Sequence, residues 1–499
     1  MSDADAGARE REVLKARRES LERLRAKGVE PFALSYDVTA HAEDLRAQFG
    51  DLPPETVTED VESVAGRVVL ARRFGKLTFF TLRDRSGDLQ LFCSEKEMDE
   101  ASFGLLEDVD LGDIVGARGR VMTTKKGELS IRVERLTMLT KALRPLPEKW
   151  HGLKDPDLQQ RQRYLQLASD LESRAQIVGA RAKVLRAFRD LLDTRGFTEV
   201  ETPILQPVAG GALARPFVTH HRALDTDLYL RISLELYLKR LLVGGLERVY
   251  ELGRNFRNEG IDRDHNPEFT MLEVYQAYGD YETMMELTEA LVLAAAQAVL
   301  GTLRFEYRGR ELNLEPPWQR VTVLGSLSEM TGEEITLERT DLAQLAERHG
   351  VALDPAWGPG KVVLEMFEQL VEKQLFAPAF VCDFPREVSP LARPHRSHTG
   401  LTEQFDLIIG GMEIVPAYSE LTDPDEQRAK FELQRQQRAH GDEETHPFDE
   451  DFLVALEHGM PPAGGLGLGV DRLLMILTDA DSLRDLILFP HRRPEPGGS

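Results

Sequence analysis

The sequence predicts an α+β chain in two parts: a small five-stranded β-barrel near the N-terminus, then a larger unit built on antiparallel hairpins with flanking helices. Three observations carry that reading. Short alternating strands crowd into roughly Val64–Leu139, about five in some 80 residues. In Arg248–Tyr278 two arms of period-2 alternation flank a long polar loop. In Gly465-Leu466-Gly467-Leu468-Gly469, glycine takes every second position just before a helical run.

The totals set outer limits. A chain of 499 residues has room for more than one domain of roughly 100–200 residues. Its 41% hydrophobic content is that of an ordinary globular protein, so a packed core is expected. No apolar run is expected to be long enough to span a membrane, and the charged N-terminus is unlike a signal peptide; no membrane partner is expected. Cys93 and Cys382 lie far apart without zinc-type spacing, which points away from a disulfide framework and toward a reducing, cytoplasmic setting. A net charge of −23 argues against indiscriminate nucleic-acid binding; any nucleic acid must be met by local basic surface.

Residues 1–58 read as a helical extension. Arg9–Lys27 has helical composition, an excess of Arg and Lys over acids, and a stop at Gly28; it is a solvated helix or a phosphate-contacting arm. Residues 59–145 hold the barrel, in the segments VAGRVVLARR, KLTFFTLRD, DLQLFCS, DIVGARGRVMTT and ELSIRVERLTML. Turn signals at Phe74-Gly75-Lys76, Ser86-Gly87 and Lys126-Gly127 separate them, and the oligonucleotide-binding (OB) fold is the expected five-stranded form. Phe79 could stack on a base from its exposed face and Gln90 could hydrogen-bond a base edge, or Phe79 is plain core.

A proline-rich, charged linker, 146–165, leads to the large domain, 166–492. Ser169-Asp170-Leu171-Glu172 has capping-box spacing, and the helix after it closes at Gly196. Phe197–Leu205 reads as a strand carrying Pro203, hence at a sheet edge or an interface.

In Arg248–Tyr278, alternation sets Phe269, Met271, Glu273 and Tyr275 on one face. The loop adds Arg257, Glu259, Arg263, His265 and Asn266, a set suited to an anion. The alternate glycines before Arg472 leave bare backbone against which a flat ring can lie, with the Arg472 guanidinium over it. Gly410-Gly411 is a two-residue hairpin turn that pairs Ile408 with Glu413 and makes Asp406 and Glu413 diagonal neighbours. Two carboxylates there suit magnesium held between protein and phosphates. Strand parity sets Glu413 and Glu420 on opposite faces unless a bulge near Pro416 intervenes. These parts converge on nucleotide chemistry, while neither G-x-x-x-x-G-K-[ST] nor a dinucleotide fingerprint is present.

The stretches FRNEGIDRDHNPEFT, GLGLGVDR, ARPFVTHH, ELYLKRLLVGG and LTKALRPLPEKWHGL together resemble the class II lysyl-tRNA synthetases, from the N-terminal helix to LRDLILFP. The resemblance implies an OB-fold anticodon-binding domain followed by a class II catalytic domain, and a homodimer formed through the helix and strand ending at Pro203. It implies lysine–tRNA ligase activity with ATP, L-lysine and tRNA(Lys) as substrates and Mg2+ as cofactor. By position, Arg257 would bind the α-phosphate and the substrate carboxylate, Glu259 the adenine amino group, and His265 the terminal phosphates. Phe269 and Arg472 would sandwich the adenine. Asp406 and Glu413 would hold magnesium, the first shorter than the family's usual Glu. Glu235, Tyr275 and Glu420 would receive the side-chain ammonium, Glu273 and Gly211 would hold the α-amino end, and Tyr418 would belong to the same lysine site. Phe79, Gln90 and Glu128 would read the anticodon. Pro416 stands where the family pattern has asparagine.

Three alternatives stay open at this level. Aspartyl or asparaginyl synthetases share the architecture but need cationic or amide readers, against which Glu235 and Glu420 speak. A protein-modifying lysyl transferase would lack the barrel. A non-catalytic tRNA-binding paralogue would have lost the Arg257, Glu259 and Arg472 set.

Overall fold

The computed structural model describes residues 3–146, 155–354, 357–439 and 447–492. It divides into two compact units, Met1–Leu171 and Glu172–Ser499.

In the first unit the helix Asp3–Ala26 stops before Gly28, whose φ of 71° suits glycine. Leu21 and Leu24 from this helix are buried, and Arg23 and Lys27 pair with Asp108 at 3.0 and 2.6 Å. Five strands, β1 (Val57–Phe74), β2 (Leu77–Arg83), β3 (Asp88–Ser94), β4 (Ile114–Thr123) and β5 (Leu129–Thr140), close into a barrel in the order β1-β2-β3-β5-β4. Period-2 alternation drives the closure: Phe80, Leu82, Leu89, Leu91 and Cys93 point into the core. Their neighbours Phe79, Gln90 and Phe92 take the opposite face, so Phe79 is not core. The expected linker falls partly on residues outside those described; the remainder includes the helices Pro156–Arg161 and Arg163–Ser169.

The second unit contains β6 (Thr198–Glu199), β7 (Leu205–Gln206), β8 (Val218–His221), β9 (Thr226–Leu230), β10 (Arg248–Phe256) and β11 (Glu268–Ala277). It continues with β12 (Arg304–Tyr307), β13 (Arg310–Asn313), β14 (Gln319–Thr322), β15 (Ala379–Cys382), β16 (Gln404–Ile409), β17 (Met412–Ser419) and β18 (Ala463–Gly469). Among the described residues an eight-stranded sheet runs β14-β15-β16-β17-β18-β11-β10-β6. Its pairs are antiparallel except β14 with β15 and β6 with β10. One face is packed: Leu272, Val274, Phe405, Leu407, Val415, Ala417, Leu466 and Leu468 form one core with the helices Arg181–Thr194, Tyr281–Leu300 and Val470–Thr478. That leaves the opposite face for chemistry.

Three sequence expectations are corrected. Phe197–Leu205 is not a continuous strand; only Thr198–Glu199 pairs at the sheet edge, and Leu205 opens β7. The backbone between them is taken by side chains instead: Glu251 accepts from the Thr202 N–H at 3.0 Å, and Arg231 donates to the Thr202 carbonyl at 3.1 Å. Ser169 does not cap the next helix. It ends the preceding one, with Oγ donating back to the Leu165 carbonyl at 2.7 Å, and the following helix passes through a π-helical stretch, Ala175–Ala180. Finally, Tyr281–Leu300 is long and apolar enough to cross a membrane by length and composition. Its apolarity has a local cause: Met284, Leu287, Leu291 and Ala295 are buried in the core of the second unit.

Candidate active site

The open face of the sheet is organised by one irregularity. Ile408 pairs with Glu413, but Leu407 pairs with Val415, so Ile414 is an extra residue in β17. Ile414 and Val415 both enter the core. The bulge reverses the parity of everything after it, so Asp406, Glu413, Pro416, Tyr418 and Glu420 share the open face. Simple alternation would have turned Glu413 away from Glu420; the bulge lies two residues before Pro416.

On the adjacent strands Glu273 pairs with Gly467 and Tyr275 with Gly465, which also pairs with Tyr418. A Cβ at Gly465 would stand 2.1 Å from Glu420 Oε1 and 2.5 Å from the Tyr275 ring. Glycine is therefore required there, and the alternate glycines form a trough that these side chains overhang. Gly211, at φ 90°, closes one side; a Cβ there would meet Ser233 at 2.9 Å.

At one end of the face lies a buried acidic pocket. Glu235 opens the helix Glu235–Val243, and Tyr418 donates to its Oε1 at 2.6 Å. Glu273 accepts from the Ser233 hydroxyl, the Leu234 N–H and the Tyr275 hydroxyl at 3.2, 3.1 and 3.1 Å. Burial, reinforced by the charge of Glu235, pushes Glu273 up to about 7 despite those donors. Glu420 is also raised, by burial against the opposing pull of Lys239. Its Oε1 has no hydrogen-bond partner among the described residues. Lys239, fully buried, lies 2.5 Å from both Glu235 and Glu420. Sequence reading missed Lys239, although its spacing four residues after Glu235 on one helix face was a signal for the pair.

Toward the other end the face opens into a cleft of about 190 Å³ lined by Arg257, Glu259, His265, Phe269, Glu413 and Arg472, among others. Arg257 follows β10, its N–H donating to the Pro267 carbonyl at 2.8 Å, and its guanidinium lies 5.1 Å over the Phe269 ring. Burial lowers the Arg257 pKa against the charges of Glu259 and Glu413, and its Nε has no hydrogen-bond partner among the described residues. A buried guanidinium with a spare donor is an anion receptor. His265 is half-exposed, its Nδ1 2.8 Å from Asp262. Arg472 donates to the Glu413 carbonyl at 3.0 Å. Its helix is anchored by Asp471, which accepts from the Thr270 N–H at 2.7 Å and pairs with Arg181.

Glu413 lines this cleft, and Asp406 stands beside it on β16, paired with the cleft residue Pro416. Burial, then the charges of Glu413, Glu372 and Glu368, hold Asp406 well above the usual carboxylate range. Glu372 is itself pushed up to about 7 by burial and by Glu413. Among the described residues no ion pair neutralises Asp406, and the Arg472–Glu413 pair is 3.6 Å apart. Asp406 and Glu413 offer carboxylate oxygens of the kind a hard divalent ion takes, with Arg472 the nearest protein cation to Glu413 among the described residues.

In the barrel, Phe79 and Phe92 meet edge to face at 5.5 Å on the outer surface, with Arg72 5.9 Å above Phe79. Arg72 also donates to Gln90 Oε1 at 2.9 Å, and Gln90 donates to Ser130 Oγ at 3.0 Å. Glu128 is exposed in the turn before β5. Arg72 and Phe92 were not singled out in the sequence; their signal is register, since Phe79 pairs with both.

Comparison with known proteins agrees with this layout. The family described as tRNA synthetases class II (D, K and N) matches residues 155–493, and the OB-fold nucleic acid binding domain matches residues 62–139. The chain is 50% identical over 488 residues to a lysine–tRNA ligase of Moorella thermoacetica, covering 97% of this chain and 99% of that protein. It is 47% identical over 485 residues to the lysine–tRNA ligase of Carboxydothermus hydrogenoformans, covering 97% and 98%. With the lysine–tRNA ligase of Thermosynechococcus vestitus it shares 50% identity over 503 residues, covering 99% of each. A match of this extent, across both the barrel and the sheet, means that the chain belongs to the lysine–tRNA ligase family of class II tRNA synthetases.

Proposed function

We propose that this chain is an ATP-dependent ligase that activates L-lysine as lysyl-adenylate and transfers it to the 3′-terminal ribose of tRNA(Lys). The observation that carries the choice of amino acid is the buried pocket in which Glu235, Glu273 and Glu420 converge beside the cleft. Buried carboxylates need cationic partners, and a neutral or acidic side chain would leave them unpaired.

In this reading the lysine carboxylate oxygen attacks the α-phosphorus of ATP and pyrophosphate leaves. A ribose hydroxyl then attacks the adenylate carbonyl and AMP leaves. No protein nucleophile is needed; positioning and charge stabilisation supply the catalysis. Arg257 meets the substrate carboxylate and the α-phosphate, which need the spare donor it carries. Phe269 and Arg472 take the adenine between them, Glu259 reads its amino group, and His265 meets the terminal phosphates. The side-chain ammonium goes to Glu235, Tyr275, Tyr418 and Glu420, and the α-ammonium to Glu273 beside Gly211. Mg2+ would be held by Asp406 and Glu413, where it would neutralise phosphate charge. Pro416 lines the cleft without offering a donor, so carboxylate positioning falls to Arg257.

The barrel face of Phe79, Gln90 and Glu128 reads the anticodon, joined by Arg72. Homodimerisation through the helix and edge segment ending at Pro203, and a cytoplasmic setting in which Cys93 and Cys382 remain thiols, belong to the same reading. The proposed domain limits are 1–58, 59–145, 146–165 and 166–492. ATP–pyrophosphate exchange with magnesium, run against each of the twenty amino acids, tests it. Exchange with lysine alone is the expected result; exchange with a different amino acid overturns the substrate, and none at all overturns the activity.

A further inference from the structure

The acidic pocket already contains an ammonium group. Lys239 Nζ lies 2.5 Å from Glu235 Oε1 and 2.5 Å from Glu420 Oε2, with no exposed side-chain surface. It also sits 5.4 Å over the Tyr418 ring, whose hydroxyl donates to the same Glu235 oxygen at 2.6 Å. Lys239 therefore holds both carboxylates from one side, Glu235 by a hydrogen bond and Glu420 by an ion pair, while Glu420 Oε1, above Gly465, has no hydrogen-bond partner among the described residues.

A count of charges gives this arrangement a purpose. Ionised, Glu235, Glu273 and Glu420 bring three negative charges into a volume where each is at most 5% exposed. Lys239 cancels one and leaves two. Lysine presents two ammonium groups, and its carboxylate is matched separately by Arg257. With Lys239 in place the pocket is neutralised by one dicationic substrate and by nothing less charged.

We propose that Lys239 is a positioning and specificity-determining residue for lysine activation: its ammonium aligns Glu235 and Glu420 and sets the residual charge that the substrate must supply. This rests on the assignment of the pocket to lysine. Lys239 meets the substrate only through the two carboxylates that it holds.

A double-mutant cycle in the full-length chain tests it, with the KM for lysine, the KM for ATP and kcat read from ATP–pyrophosphate exchange. Lys239→Met keeps the volume and removes the charge. Its lysine KM is expected to rise on the order of 100-fold, because a broken buried pair leaves an uncompensated charge, with the ATP KM within about twofold. Glu420→Gln alone leaves Lys239 facing the substrate ammonium with one charge too few. The double variant Lys239→Met/Glu420→Gln restores the count of two, so it is expected to bind lysine more tightly than Glu420→Gln. Simple additivity of the two changes, or a Lys239→Met enzyme with unaltered lysine KM, would overturn the proposal. If Lys239→Met alone does not fold, the comparison of the double variant with Glu420→Gln still decides, since a merely space-filling Lys239 predicts no gain. Failure of the underlying assignment is seen separately, as a wild-type enzyme without lysine-dependent exchange.

Discussion

Two acidic clusters lie on the same face of the catalytic sheet, joined by β17, and they differ in one respect. Around Glu235 and Glu420 a lysine of the protein sits between the carboxylates, and hydroxyl and backbone donors satisfy much of the remainder. Around Asp406 and Glu413, with Glu368 and Glu372 nearby, no lysine forms an ion pair with Asp406 or Glu413 among the described residues, Arg472 stands 3.6 Å from Glu413, and burial with neighbouring carboxylates raises Asp406, Glu368 and Glu372. Buried carboxylates cost free energy until a cation arrives. The first cluster is part-neutralised by the chain. In the proposed reading it takes an organic ammonium in a fixed place, and the second would take ions that come with the nucleotide.

The sharpest way to break this contrast is metal removal. Chelation of divalent ions should abolish ATP–pyrophosphate exchange, while calorimetric binding of lysine alone stays within about twofold, since charge neutralisation by metal is a matter of several kcal/mol at one cluster only. Loss of lysine binding on chelation would merge the two clusters into one site. Next in size, Glu235→Gln should raise the lysine KM on the order of 100-fold and leave the ATP KM unchanged, because it removes a buried carboxylate from the ammonium site and leaves Lys239 paired with Glu420 alone. A parallel rise in both constants would show that the pocket and the cleft are not separable.

A smaller effect comes from protons. Glu273 is lifted to about 7 from its ordinary 4.5, so between those values the native state binds a proton that the unfolded chain has released. Glu420, pushed up to about 8, acts in the same sense, so stability of the ligand-free protein should fall as pH rises from about 5 to 8, followed by denaturant unfolding at fixed salt. Lysine binding has the opposite sense: it needs Glu273 and Glu420 ionised, and its affinity should weaken by at least about tenfold from pH 8 to pH 6, the change expected for Glu273 alone. A flat affinity profile would place the α-ammonium elsewhere. The smallest change expected is for Asp406→Glu, which lengthens the acid by one methylene. The magnesium concentration for half-maximal exchange should drop by about threefold, since ligand reach tunes a hard-ion site; an increase would mean that the shorter side chain is already fitted to its ion.

Much of this was legible before any coordinates. Barrel strands and the two arms of Arg248–Tyr278 are set by alternation, a property of neighbours in sequence, and they appear as β1–β5, β10 and β11. The Gly410-Gly411 turn carries φ values of 65° and 74°, which only a glycine pair adopts freely, and its first two pairings follow from it. Even the outward position of Phe79 follows from register once the barrel closes. Less visible was anything that depends on a missing or extra backbone contact. The strand expected at Phe197–Leu205 dissolves because Glu251 and Arg231, distant in sequence, take the hydrogen bonds of Thr202.

Local pattern was thus sufficient for the class of fold, because alternation and turn chemistry arise from interactions only a few residues apart. The Ile414 bulge and the seat of Lys239 needed the folded chain. A bulge is chosen by competition between the core, which claims Ile414 and Val415 together, and the pocket, which needs Glu413 and Glu420 on one face. A lysine becomes a fixed counter-charge only when a helix carries it to full burial between acids from two different elements. Neither outcome is written in any short stretch of sequence, since each is a balance of desolvation and packing among groups that only the tertiary fold brings together.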